Sequence, residues 1–192
     1  MGFGVDTVVE LSPEEWDCLY QKEFFYIKRK VSNKILEALN TFRQEMGKVV
    51  EVRKNELPPW FSNSAKISKG ENFKELPYFV LDYPKANVSD GFILFRTMVW
   101  WGNYIQYIIH ASGSFLPYLQ QKQKTLSDLG FSCFVGEDQW DHAFTEENYS
   151  REFTERFNSD KPSFIKVSLS VPMDKLPALS KTLLPYFEKV IR

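Results

Sequence analysis

Between Lys22 and Met46 apolar side chains return every three or four residues, at Phe24, Ile27, Val31, Ile35, Leu39, Phe42 and Met46. That spacing lines one side of an α-helix. It predicts a single continuous amphipathic helix, buried along Phe24, Ile27, Val31, Ile35, Leu39 and Phe42, with Gly47 as its stop. Just before it, Ser12-Pro13-Glu14-Glu15 is a helix start. Ser12 can cap, Pro13 suits the first turn and Glu15 can close a capping box, so a short helix to about Tyr20 is expected.

After Gly47 the period changes. Residues 52–64, with Pro58-Pro59 and Asn63-Ser64, read as loop. Lys66 to Pro77 reads as a short strand, a turn near Gly70 and a break at Pro77. A strand over 78–83 ends at Pro84, and the strongest strand patterns are 91–100 and 103–111. A helix is expected over 114–129, stopped by Gly130, and then a strand over 131–135. Thr145 would cap a helix carrying Tyr149, Phe153 and Phe157 on one side. In 164–171 the alternation turns Ile165, Val167, Leu169 and Val171 inward and Lys166, Ser168 and Ser170 outward. Asp174 opens a final helix to Ile191, kinked near Pro185. No repeat, low-complexity tract or linker interrupts the 192 residues. The expected architecture is therefore one α+β domain over 1–192, a single antiparallel sheet with helices packed mainly on one face.

The hairpin sets where a site could lie. Gly102-Asn103 fits a two-residue turn with glycine first. Trp101 then sits opposite Tyr104, Val99 opposite Gln106, Thr97 opposite Ile108 and Phe95 opposite His110. The other face carries Trp100, Met98, Arg96 and Leu94 with Ile105, Tyr107, Ile109 and Ala111. This greasier face is assigned to the helices, with Arg96 paired to Asp82 inside it. The face with Trp101, Tyr104, Gln106, His110 and Thr97 becomes the candidate groove for a small apolar or planar ligand. Cross-strand aromatic pairs also stabilise sheets with no ligand involved.

Charge and composition narrow the classes. A net charge of −1 and a pI near 6.2 lack the basic excess of a nucleic-acid-binding protein. No run approaches the length of a membrane-spanning helix. The N-terminus shows no basic stretch followed by an apolar core, and Cys18 and Cys133 form no close pair. A cytoplasmic protein with reduced, unbridged thiols is expected.

Candidate chemistry is sparse. With two histidines in the chain, any imidazole base must be His110 or His142, and neither sits in a known catalytic spacing. Cys133 lies in a strand-like run, the usual place for an inert thiol. His142 and Glu146 would share a face if helical, but a loop followed by an acidic first helical turn explains them without a metal. No metal or cofactor is expected. A binding or accessory module is favoured, working through the hairpin's aromatic face or a homodimer contact. The alternative is a small enzyme with a noncanonical site around His110 and Arg96.

The stretches FFYIKRKVSNKI, KISKGENFKELPYFVLDYP and RTMVWWGNY, in that order, resemble a family of bacterial domains with no assigned activity. The resemblance spans about residues 12–190. It implies an α+β fold and carries no catalytic residue, cofactor or substrate.

Overall fold

The computed structural model describes residues 9–62, 65–153, 157, 159 and 162–192. Two compact units divide the chain between Lys34 and Ile35. The first holds helix α1 (Pro13–Tyr20) and the opening turns of α2 (Lys22–Val52). The capping box forms as expected: Glu15 N–H donates to Ser12 Oγ (3.3 Å) and Ser12 N–H donates to Glu15 Oε2 (2.7 Å). Helix α2 is continuous, yet two features of its expectation are corrected. It passes through Gly47 and ends at Val52, because the stripe continues at buried Val50. Packing there outweighs the roughly 1 kcal/mol that a mid-helix glycine costs. The stripe is also buried only from Ile35 onward, at Ile35, Leu39, Phe42, Met46 and Val50. Phe24 and Ile27 are 50% and 49% exposed.

The second unit is built on one seven-stranded antiparallel sheet, in the order β1-β2-β3-β4-β7-β5-β6. The strands are β1 Lys66–Phe73, β2 Leu76–Val88, β3 Gly91–Trp100, β4 Tyr104–Ser112, β5 Ser132–Phe134, β6 Tyr149–Ser150 and β7 Phe164–Pro172. Residues 35–52 of α2, a 3-10 turn at Pro59–Ser62, and α5 (Leu179–Val190) pack on one face. Phe42 meets Tyr107 edge to face, and Phe95 lies between Phe61 and Phe187. The α+β class with a single antiparallel sheet is thus the fold of the described residues.

The hairpin forms, with a different turn. Its loop has three residues, Trp101 to Asn103, closed by Asn103 N–H donating to Trp100 O at 3.1 Å. Gly102 adopts φ +72°, the left-handed value required at the third position of a type II turn. One extra loop residue slips the register, and a one-residue slip sends one strand's side chains to the opposite face. Val99 pairs with Ile105, Thr97 with Tyr107, Arg96 with Ile108 and Leu94 with His110. The expected partners of Tyr104, Gln106 and His110 are therefore replaced by Trp100, Met98 and Leu94. Trp101, Val99, Thr97 and Phe95 lose that face. Thr97 and Phe95 lie with Tyr107 on the helix side, and Trp100 leaves the helices.

Elsewhere the differences are local. The turn between β1 and β2 is Lys74-Glu75, both at positive φ, rather than Gly70. Strand β2 runs on to Val88 through a cis Tyr83–Pro84 bond and a register shift between Asp82 and Lys85. The expected 114–129 helix is split into α3 (Leu116–Gln121) and α4 (Gln123–Asp128). No helix starts at Thr145; Tyr149 and Ser150 pair with Phe134 and Cys133 as a strand instead. The rest of that expected helix falls partly outside the described residues. In β7, Lys166 and Ser168 are fully buried rather than outward. Alternation marks two faces but does not say that the polar one meets water. Cys18 is exposed and Cys133 is buried, and no disulfide joins them.

Trp100 is 8% exposed, packed with Val80, Met98, Phe73, Tyr78 and Tyr104, and donates its indole N–H to Phe73 O at 3.2 Å. Trp101 sits in the turn, half-buried. Truncating Trp100 to Ala is expected to cost about 3–5 kcal/mol, and truncating Trp101 to Ala about 1–2 kcal/mol. Urea denaturation midpoints of the two variants measure the difference. Equal losses would contradict the observed faces.

Candidate functional site

Antiparallel register lines up the even-numbered residues of β3 and β4 with their neighbours in cross-strand rows. Asp82 lies opposite Arg96, Arg96 opposite Ile108, and Ile108 opposite Ser168. In the next row Leu94 faces His110, and His110 faces Lys166. A third row runs Val80, Met98, Gln106, Ser170. These rows form the sheet face away from the helices, and the segment between β5 and β6 covers them. Asp138 and Asp141 shape that segment by accepting from the backbone N–H two residues on, at Trp140 and Ala143, both at 2.9 Å. Such turns are a local habit of aspartate.

Arg96 grips Asp82 with two bonds, Nε to Oδ1 at 2.7 Å and Nη2 to Oδ2 at 3.0 Å. Its Nη1 lies 2.9 Å from His142 Nε2. Guanidinium can only donate, so His142 Nε2 accepts and the ring carries its proton on Nδ1. Burial, then Arg96, Lys166 and His110, push the His142 pKa down to about 2.

Lys166 is 0% exposed. Its ammonium donates to Gln139 O at 2.9 Å and Asp141 O at 2.6 Å, and sits 3.4 Å from the Phe134 ring centre. A buried cation needs such partners, since an uncompensated one costs several kcal/mol. Opposite it, His110 is also 0% exposed. Phe92, Trp140 and Phe164 surround its ring, with centroids 4.8, 5.2 and 5.5 Å away. Neither ring nitrogen has a well-formed hydrogen bond, and the Gln139 side chain is the one nearby group favouring protonation. Burial, then Lys166 and Arg96, hold the His110 pKa down at about 3.

Around this centre, Gln106 Nε2 donates to Tyr149 Oη at 3.2 Å, and Phe144 N–H donates to Tyr104 Oη at 2.6 Å. Burial raises the pKa of both phenols. Asp141 accepts from Asn148 Nδ2 (3.1 Å) and Lys74 (3.3 Å). Burial opposes its ionisation, but its bonds from Ala143, Asn148 and Lys74 keep its pKa below the usual carboxylate value.

Of the five residues expected to line a groove, Tyr104, Gln106 and His110 come together on this face, joined by Arg96, which the expected register put on the helix side. Thr97 lies on the helix side, 1% exposed and opposite Tyr107. Trp101 makes no ring contact with Tyr104 or His110 among the described residues, and its backbone N–H donates to Pro77 O at 3.0 Å. Lys166, Tyr149 and Trp140 were not legible as members, because their approach depends on the cover. His142 lies in loop and Glu146 in a turn, as the loop reading of that segment expects, so the two share no helical face. Among the described residues, no three His, Cys, Asp or Glu side chains are grouped to hold a metal ion. No helix among them is long and apolar enough to cross a membrane. No protein-family model, curated protein or solved structure matches the chain.

The two neutral histidines set a pH dependence. An unfolded histidine binds a proton near pH 6.5, whereas these stay unprotonated until about 3 and about 2. Below pH 6.5 the unfolded chain therefore binds more protons, and stability falls as pH falls. Each ring contributes up to about 1.4 kcal/mol per pH unit. Urea unfolding between pH 7 and 5, above the carboxylate range, is expected to show this slope. A His110→Gln/His142→Gln variant should flatten it; an unchanged slope would place the rings in water.

Proposed function

We propose that the chain is a binding module, whose working surface is the aromatic, histidine-bearing face of the β3–β4 hairpin beneath residues 135–148. The ligand class that fits is a small planar molecule with hydrogen-bonding groups on one edge. One observation carries this reading: His110 is fully buried among three aromatic rings, with neither nitrogen well bonded. Leaving a buried polar atom without a partner costs about 1–3 kcal/mol, so a leucine or phenylalanine would serve the fold better. Gln106 Oε1 on the same face, and Gln139 Oε1 and His142 Nδ1 in the segment above it, also lack a well-formed hydrogen bond. Aromatic walls favour a flat ligand, and these atoms offer donors and acceptors for its edge. Trp140, 48% exposed, stacks on Phe92 and packs against His110, and is where a ligand would enter.

Binding is favoured over catalysis by the same environment. A general base works best with a pKa near the operating pH, and His110 and His142, at about 3 and about 2, are far below it. Titration with benzimidazole and indole-3-carboxylate as planar probes tests the proposal, followed by NMR of the Trp140 indole and the His110 ring. Saturable shifts at both groups are expected, lost in His110→Phe. Shifts that persist in that variant, or none at millimolar probe, would refute the surface.

A further inference from the structure

We infer that residues 16–27 form a self-association surface, closed by the same segment of a second copy running antiparallel to it. The surface lies wholly in the first unit and does not depend on the binding proposal. Trp16 and Tyr20 on α1, and Phe24 and Ile27 on the opening turns of α2 just past the break at Gln21, are 48, 74, 50 and 49% exposed. Leu19 and Tyr26 flank them at 57 and 59%. Trp16 and Tyr20 stack with centroids 6.0 Å apart, so the apolar surface is ordered within α1. Six large apolar side chains exposed within twelve residues are more than the scattered apolar positions of an ordinary surface.

Charge decides what covers it. Residues 9–20 carry four acids and no Lys or Arg, whereas residues 22–34 carry five Lys or Arg against the single Glu23. The surface is thus acidic along α1 and basic along the start of α2. A partner of one sign, such as an anionic lipid surface or an acidic peptide, matches one half and is repelled by the other. A second copy in parallel would set like charge on like. An antiparallel copy related by a two-fold axis sets acid against base at both ends, the self-complementarity that an isologous dimer requires. Aromatic side chains offer about 150–250 Å² each, so the half-exposed patch supplies roughly 600 Å² per copy. Two copies would bury about 1,200 Å², the lower bound for a specific stable interface.

Sedimentation velocity of the full chain, up to about 100 µM, reads the outcome. The expected species has twice the 22.6 kDa chain mass and weakens with added salt. Tyr20→Glu/Phe24→Glu should sediment as a monomer with unchanged far-UV circular dichroism. A Glu14→Lys/Asp17→Lys chain and an Arg29→Glu/Lys30→Glu chain should each stay monomeric alone, and form a mixed dimer together. The inference is overturned by a monomeric wild type, including one that instead pellets with phosphatidylserine vesicles. It is equally overturned by a dimer that survives Tyr20→Glu/Phe24→Glu, or by charge-reversed chains that fail to pair.

Discussion

A lysine with no exposed surface constrains everything on its side of the sheet. Removing an ammonium from water costs several kcal/mol unless the protein replaces the lost hydration. Lys166 points from β7 into the face opposite the helices, beneath the segment that joins β5 and β6. Gln139 and Asp141 supply backbone oxygens, at 2.9 and 2.6 Å, and the Phe134 ring lies beneath. To deliver those carbonyls the chain between β5 and β6 must cross the sheet. That crossing brings Trp140 over His110 and His142 against Arg96. The two depressed imidazole pKa values follow, since each ring is dried by the cover and faces fixed cations.

The hairpin register is the second condition, and it explains why the site was half legible. The strands were visible in the sequence, because β-branched and aromatic runs flank Gly102-Asn103. The length of the loop was not, since glycine at φ +72° fits both a two-residue and a three-residue connection. One residue of difference exchanged Trp101, Thr97 and Phe95 for Trp100, Arg96 and Leu94 beside Tyr104, Gln106 and His110. Arg96 was expected to pair with Asp82, and it does, at 2.7 Å. That pairing requires only adjacent strands, so it survives the slip. The cover itself had a weak signal, the aspartates at 138 and 141 that favour local turns over a helix.

The long helix shows the same limit from another direction. Periodicity located α2 and its stripe but could not say which part of the stripe meets a core within the chain. Ile35 to Val50 does, and Phe24 and Ile27 do not. A stripe is a demand for an apolar partner, and sequence spacing does not say who supplies it. Here the charge change across Gln21 is what supports the proposed second copy, because a self-complementary surface matches both signs. The proposed binding face and the proposed association face therefore rest on separate residues in separate units.

Lys166 holds residues 137–148 over the histidine-bearing face through its bonds to Gln139 O and Asp141 O. Native-state hydrogen exchange on wild type and Lys166→Met tests it most directly. The account predicts that Val135, Ala143 and Asn148 amides lose protection in the variant, since the anchoring ammonium is gone. The β3–β4 ladder should keep its protection, because its hydrogen bonds do not involve the cover. Unchanged protection over 135–148 in a folded Lys166→Met variant would contradict the account, and would mean that the segment closes on the sheet without the buried cation.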